Sequence, residues 1–434
     1  MMDATINIKE AFEKTEGAAE NLAAFRKENW KIFSGLGLPA LKHEEWRYTK
    51  IKNLFNSGMV IDTDGSAVDK NFVNQFILPG VASANSIIFV NGRFRNDLST
   101  ISSSKDILVV KSLEEASGDE DAEFVSLHLG HSQKYHADGI NALNASFAAG
   151  GVYIKVSKGK SVEQPIIIYS ISDSSAGFRL SLPRILVNVE EAAQVEIIQT
   201  YINHGGGQSL TNEVTEICVA RDAIMHYIKL QNEGPKSSHT GTTHIRQLGK
   251  SLTHAVTITL DGEIVRNNLN MVMEAEYCES NMYGLYLIKG KTLADNHTIV
   301  DNMVPNCLSN ELYKGIMDES ATGVFNGKIF VRQDAQKTNA YQSNKNILLG
   351  NKSSANTKPQ LEIFADDVKC SHGCTIGKLD KDALFYLKAR GISAENAQAL
   401  LLHAFAVDIL NQIKNKEIRT YVEYLISERL SFSI

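Results

Sequence analysis

From Val152 to Thr375 the sequence consists almost entirely of short β-branched runs with turn residues between them, and no helical pattern interrupts it. The runs include "VYIKV", "PIIIYS", "RILVNV", "QVEIIQT", "EVTEICVA", "IMHYIKL", "HAVTITL", "YGLYLI", "GVFNGKIFV" and "QLEIF". That much strand exceeds what one small sandwich holds, which leaves a large barrel, a propeller or a β-solenoid. Minimal corners, as in "EICVARDAIMHYIKL", favour the solenoid. So do the amide-rich segments "RNNLNM", "QKTNAYQSNKN" and "GNKSSANTK", read as turns whose Asn and Gln side chains ladder from rung to rung. Spacing alone does not separate a parallel helix from a propeller.

The flanks read differently, which divides the chain into residues 1–150, 151–378 and 379–434. In the first part Phe12, Leu22, Phe25, Trp30 and Phe33 recur at helical spacing. "SIIFVNGRFR" reads as two strands about an Asn-Gly turn, "ILVVKSLEEA" as a strand feeding a helix, and "GINALNASFAAGG" as a helix stopped by glycine. Beyond Leu379, Asp380 and Ser393 are N-caps and Gly391 a stop, so the last part is helical. A solenoid needs its open ends covered, and the helical flanks are expected to cover them.

Bulk properties exclude several classes. In 434 residues the net charge is -6 and the lysines are dispersed, so nothing in the chain suits nucleic acid or an anionic membrane. The opening residues lack a secretory pattern, and no apolar run approaches the roughly 18 residues of a membrane span. Five scattered cysteines do not form a secreted disulfide framework. A cytoplasmic chain is expected.

Most motif-like stretches have ordinary explanations. "GLYLIKGKT" lacks both the spacing and the following helix of a phosphate loop, so the chain is not expected to bind ATP. His128, His131 and His136 read as a solvated polar connection, and Cys218, Cys278 and Cys307 as core. "LEIFADDVKCSHGCTIG" is different. If the strand begun at "LEIF" continues, Asp366, Val368, Cys370, His372 and Cys374 share one face, with Asp367, Lys369 and Ser371 on the other. The two cysteine Cα atoms would then lie about 13 Å apart, too far for a disulfide. Thiolate and imidazole suit iron in clusters or zinc. No four-ligand set is present, so the row reads as half of a site, with buried core cysteines as the competing reading.

"KPQLEIFADDVKCSHGCTIGKLDKDALFYLKARGI" resembles the hallmark region of the SufB/SufD family of iron-sulfur cluster assembly proteins, in its SufD form. "EEWRYTK", "HTIVDN", "ELYKGIM" and "GVFNGKIFVRQDAQKTNAYQSNKNILL" extend the resemblance over nearly the whole chain. It implies a right-handed parallel β-helix between N-terminal and C-terminal helical domains. It also implies a noncatalytic scaffold that pairs with SufB and binds the SufC ATPase through its C-terminal helices; whether the isolated chain forms a homodimer is left open. Cys370 and His372 match the "KCSH" motif implicated in iron or nascent-cluster handling at the SufB boundary, whereas Cys374 stands where alanine is common. No cofactor is expected to stay on the isolated chain. Two rivals remain: a β-helix carbohydrate-active enzyme using Asp366 and Asp367, and a protein that binds zinc alone. Adjacent strand residues point to opposite faces, which counts against the first.

Overall fold

The computed structural model describes residues 2–15, 20–40, 43–55, 58–63 and 65–430. Strands alternate between two sheets, one of 11 strands and one of 10, and the chain winds as a parallel β-solenoid of about eight turns. From Arg184–Val189 onward each strand pairs in parallel with the next but one. Leu293–Asn302, for example, lies between Ile264–Met273 and Thr322–Val331. Side chains that bond from rung to rung are 26 to 32 residues apart, which explains why the repeat is hard to see by eye.

One edge of the solenoid turns on left-handed residues: Ala192, Asp222, Tyr277, Asn306 and Lys337 all have positive φ. A small buried residue follows each one, namely Ala193, Ala223, Cys278, Cys307 and Thr338. Cys278 and Cys307 are therefore corner packing, and Cys218 is buried as well.

"RNNLNM" lies wholly within a strand, and the other two amide-rich segments each begin in a corner, at Gln336–Lys337 and Gly350–Lys352, and run on into strands from Asn339 and Ser354. Inward-facing Gln231 and Asn267 exchange a reciprocal amide pair at 3.1 and 2.9 Å, and Asn267 also bonds Asn296. The ladder expected at turns lies inside the lumen, where a buried amide needs a partner. Apolar residues such as Ile217, Met271 and Ile329 fill the rest.

The N-terminal end is closed. Leu108–Ser112 runs antiparallel to Val152–Val156, and Asn85–Val90 pairs with Ile166–Asp173 on one side and Arg93–Phe94 on the other. Asn91 and Gly92, both at positive φ, make the expected hairpin turn. Ser112 and Glu115 form a capping box that starts the helix Leu113–Gly118. The N-terminal stripe folds as two helices, Met2–Lys14 and Ala23–Leu36, with the Phe12 and Trp30 rings stacked at 4.4 Å.

"EEWRYT" docks on the outer face of the 11-stranded sheet. The Arg266 guanidinium lies 4.6 Å from the Trp46 ring, donates to Glu45 O at 2.6 Å and pairs with Asp295 at 2.8 Å. Burial opposes the Asp295 carboxylate, but Arg266 and His297 hold it well below the usual carboxylate range.

The opposite end departs from expectation. The helices Ala394–Leu410 and Lys416–Arg429 do not cover it. They lie along the flank of the 10-stranded sheet, with Leu402, Ala406, Ile409, Val422 and Ile426 against Ile228, Ile258, Leu285 and Ile316. Lys314 fastens the flank by bonding Asp408 at 2.5 Å and Phe405 O at 2.7 Å. The expected caps are present: Asp380 and Ser393 accept from backbone amides of their helices, and Gly391 has positive φ. Residues 431–434 of the third part lie outside the described residues.

Candidate functional site

Because the helices sit on the flank, the last rung is bare among the described residues. It consists of Ser354–Ile363 at the edge of one sheet and Lys369–Gly377 at the edge of the other. The strand begun at "LEIF" does not continue through the motif. It ends at Ile363, and the chain turns a corner in which Ala365 is buried and the Asp367 amide donates to Gln336 Oε1 at 2.9 Å. Asp366 and Val368 therefore belong to the corner and not to the row.

Cys370, His372 and Cys374 do form a row, as alternate residues of the last strand. Their partners on the previous rung are Ala340, Gln342 and Asn344, all buried and inward-facing. The three donors thus occupy the inward register of a rung on which none of the described residues stacks another strand. Cys370 is half-buried against the end of the lumen core, and burial pushes its thiol above the ordinary value. His372 and Cys374 are exposed, and both cysteines are free. A Cβ placed at Gly373 or Gly377 would meet nothing within 4 Å. Phe364, 59% exposed, and Ile376, 47% exposed, add apolar surface beside the unpaired backbone.

The donor chemistry fits iron, a nascent cluster or zinc, but the row does not close a coordination sphere. Among the described residues, the one set of three side chains close enough to chelate is Asp119, Glu120 and Asp121. Lys111 and Lys155 already neutralise that set. Asp366 and Asp367 stand side by side on an exposed corner, which is not the arrangement of an acid and a base across a sugar.

The histidines read as a solvated connection are instead packed against the 11-stranded sheet. His131 Nδ1 lies 2.9 Å from His244 Nε2, His244 Nδ1 lies 3.3 Å from Asn270 Nδ2, and Asn270 Oδ1 lies 3.0 Å from His136 Nε2. Burial pushes His131 and His136 down to about 4, so the chain of rings is neutral at pH 7. Polar spacing suggested a loop because the partners, His244 and Asn270, lie on strands more than 100 residues away. A cleft of about 540 Å³ opens beside them, but its arginines are already held, Arg246 by Glu274 and Arg332 by Asp301. The "GKT" stretch is a corner between Glu279–Ile288 and Leu293–Asn302, with no helix after it.

The geometry defines a parallel β-solenoid protein whose last rung, unpaired among the described residues, carries two thiols and an imidazole in one row. The sequence comparisons name the family. Residues 170–405 match the SufBD core domain of the SUF system for FeS cluster assembly, and residues 9–168 match the SufBD protein N-terminal region. The chain is 31% identical over 417 residues to an iron-sulfur cluster assembly SufBD family protein of Synechocystis, covering 92% of this chain and 87% of that one. It is 28% identical over 396 residues to the iron-sulfur cluster assembly protein SufD of Escherichia coli, covering 91% and 90%. It is also 32% identical over 285 residues to the chloroplastic protein ABCI7 of Arabidopsis thaliana, covering 64% and 60%. The chain belongs to the SufBD family, and its role is in iron-sulfur cluster assembly.

Proposed function

We propose that this chain is a noncatalytic scaffold subunit that pairs through its bare last rung with SufB and contributes Cys370 and His372 to a shared site for iron or a nascent cluster. The observation that carries the reading is the register of the last strand: inward-facing donors lie on a rung whose stacking partner is missing. An added strand would satisfy the edge amides and carbonyls and bring further ligands over the same row. No helix among the described residues is long and apolar enough to cross a membrane, which fits work in the cytoplasm.

The SufC ATPase is the partner assigned to residues after Leu379. There the helix Lys381–Ala389 has no buried residue and presents Phe385 and Tyr386, 73% and 57% exposed. The chain supplies no phosphate loop, and nucleotide chemistry belongs to that partner. A second copy of this chain is the other occupant the bare rung could take in isolation.

Gly373→Trp tests the pairing surface, because the space there is open within the chain itself. The variant is expected to melt like wild type and to lose SufB on copurification. Undiminished SufB capture would refute the interface. Independently, the full chain with Phe385→Ala and Tyr386→Ala, both exposed in wild type, is expected to stay paired with SufB and to lose the ATPase.

A further inference from the structure

The inward column that ends at His372 contains a second ionisable group. Met282, Glu311, Gln342 and His372 are register partners on four successive strands of the 10-stranded sheet. Gln342 Nε2 donates to Glu311 Oε2 at 2.7 Å, Glu311 Oε1 and Gln342 Oε1 are fully buried, and the Thr298 hydroxyl is the one other polar side chain that favours the Glu311 carboxylate. This contact depends on Gly327 of the facing sheet, where a Cβ would collide with Gln342 Nε2.

No charged group faces Glu311. The inward neighbours are Met282 and Gln342 in its column, Thr298 and Phe325 across the lumen, and the neutral phenols of Tyr313 and Tyr286. Among the described residues no ion pair reaches it, and Lys314 of the same strand points outward to the flanking helix. A dry carboxyl without a cation is hard to ionise. Burial pushes Glu311 up to about 7.

We propose that Glu311 is the proton-exchanging group of the lumen, and that its ionisation is coupled to the binding of a divalent cation on the bare rung. The proposal rests on the reading of that rung as a cation site. His372 lies two strand spacings from Glu311, about 10 Å. At the effective dielectric of protein sites, each unit of charge at that distance changes proton affinity by about tenfold. Cation binding therefore drives Glu311 from the carboxylic acid to the carboxylate, and one proton leaves to solvent with no change in electron count. By linkage, the ionised carboxylate raises cation affinity by a similar factor. Glu311 touches no ligand and acts as a positioning charge. It offsets part of the positive charge that the cation brings to the rung.

The test uses the anaerobic complex with SufB and adds Fe²⁺. Infrared difference spectra are expected to show Fe²⁺-induced loss of a protonated-carboxyl band in wild type near pH 7 and no such loss in Glu311→Gln. Proton release per Fe²⁺ should be larger in wild type near pH 7 and equal in the two at about pH 9, where the carboxyl is already ionised. Relative to the variant, wild-type affinity should gain about tenfold or more across that range. Fe²⁺ binding with the band unchanged in wild type overturns the role of Glu311, whether or not the variant folds. Failure of the wild-type complex to bind Fe²⁺ overturns the reading of the rung and the inference with it.

Discussion

Gln342 and His372 are direct register partners on neighbouring strands and face the same way, yet Gln342 is 3% exposed and His372 is open to solvent. The difference is the absence of one further rung. His372→Ala is therefore expected to change stability by no more than about 1 kcal/mol. Gln342→Ala should cost about 2 kcal/mol, because it removes a packed side chain and the partner of Glu311. Chemical melts of the two variants check the contrast.

Glu311 gives stability a pH dependence of known sign. Its folded value of about 7 lies above the ordinary 4.5, so between those values the folded state holds a proton that the unfolded state has lost. Stability from this group falls as pH rises through that window and is flat above it. Glu311→Gln should match wild type near pH 4.5 and gain on it by up to about 3 kcal/mol above pH 7. Denaturant midpoints measured across the range test this, and a constant difference would contradict it.

The five thiols should label in a fixed order. Cys374 is exposed and reacts first. Cys370 follows more slowly, because burial raises its pKa and Lys369 points to the other face. Cys218, Cys278 and Cys307 should wait for unfolding. Mass spectrometry after timed alkylation reads the order, and Cys370 labelling ahead of Cys374 would contradict it.

Trp46 is 3% exposed beneath Arg266, so Trp46→Ala should cost about 3 to 5 kcal/mol. It should also free the N-terminal segment from the 11-stranded sheet. Limited proteolysis near residue 50, faster in the variant than in wild type, is the expected readout.

The sequence showed the strands, the caps at Asp380 and Ser393, and the alternation of Cys370 with His372, because each depends on neighbouring residues. It misplaced what depends on distant ones. The amide of Asn267 reads as a turn residue because its partner, Gln231, lies on a strand of the opposite sheet. The helices looked like end caps because an amphipathic pattern does not say which surface it covers, and the surface is the flank around Ile258 and Leu285. Asp366 seemed to join the donor row because nothing local marks the corner at Ala365. Nothing local in the sequence marks Glu311. In "ELYKGIM" it is one acidic residue among many, and only the lumen makes it unusual.

The central claim is that the bare rung is a metal-handling site completed by a partner. The direct measurement is the iron content of the anaerobically isolated complex with SufB, comparing wild type with His372→Ala, alongside melting and copurification. The account predicts an intact, normally melting complex that has lost most of its iron, because the remaining thiol cannot supply the imidazole's place in the ligand geometry. Normal iron loading in that variant would contradict it. So would loss of folding or of SufB binding, which would make His372 a structural residue.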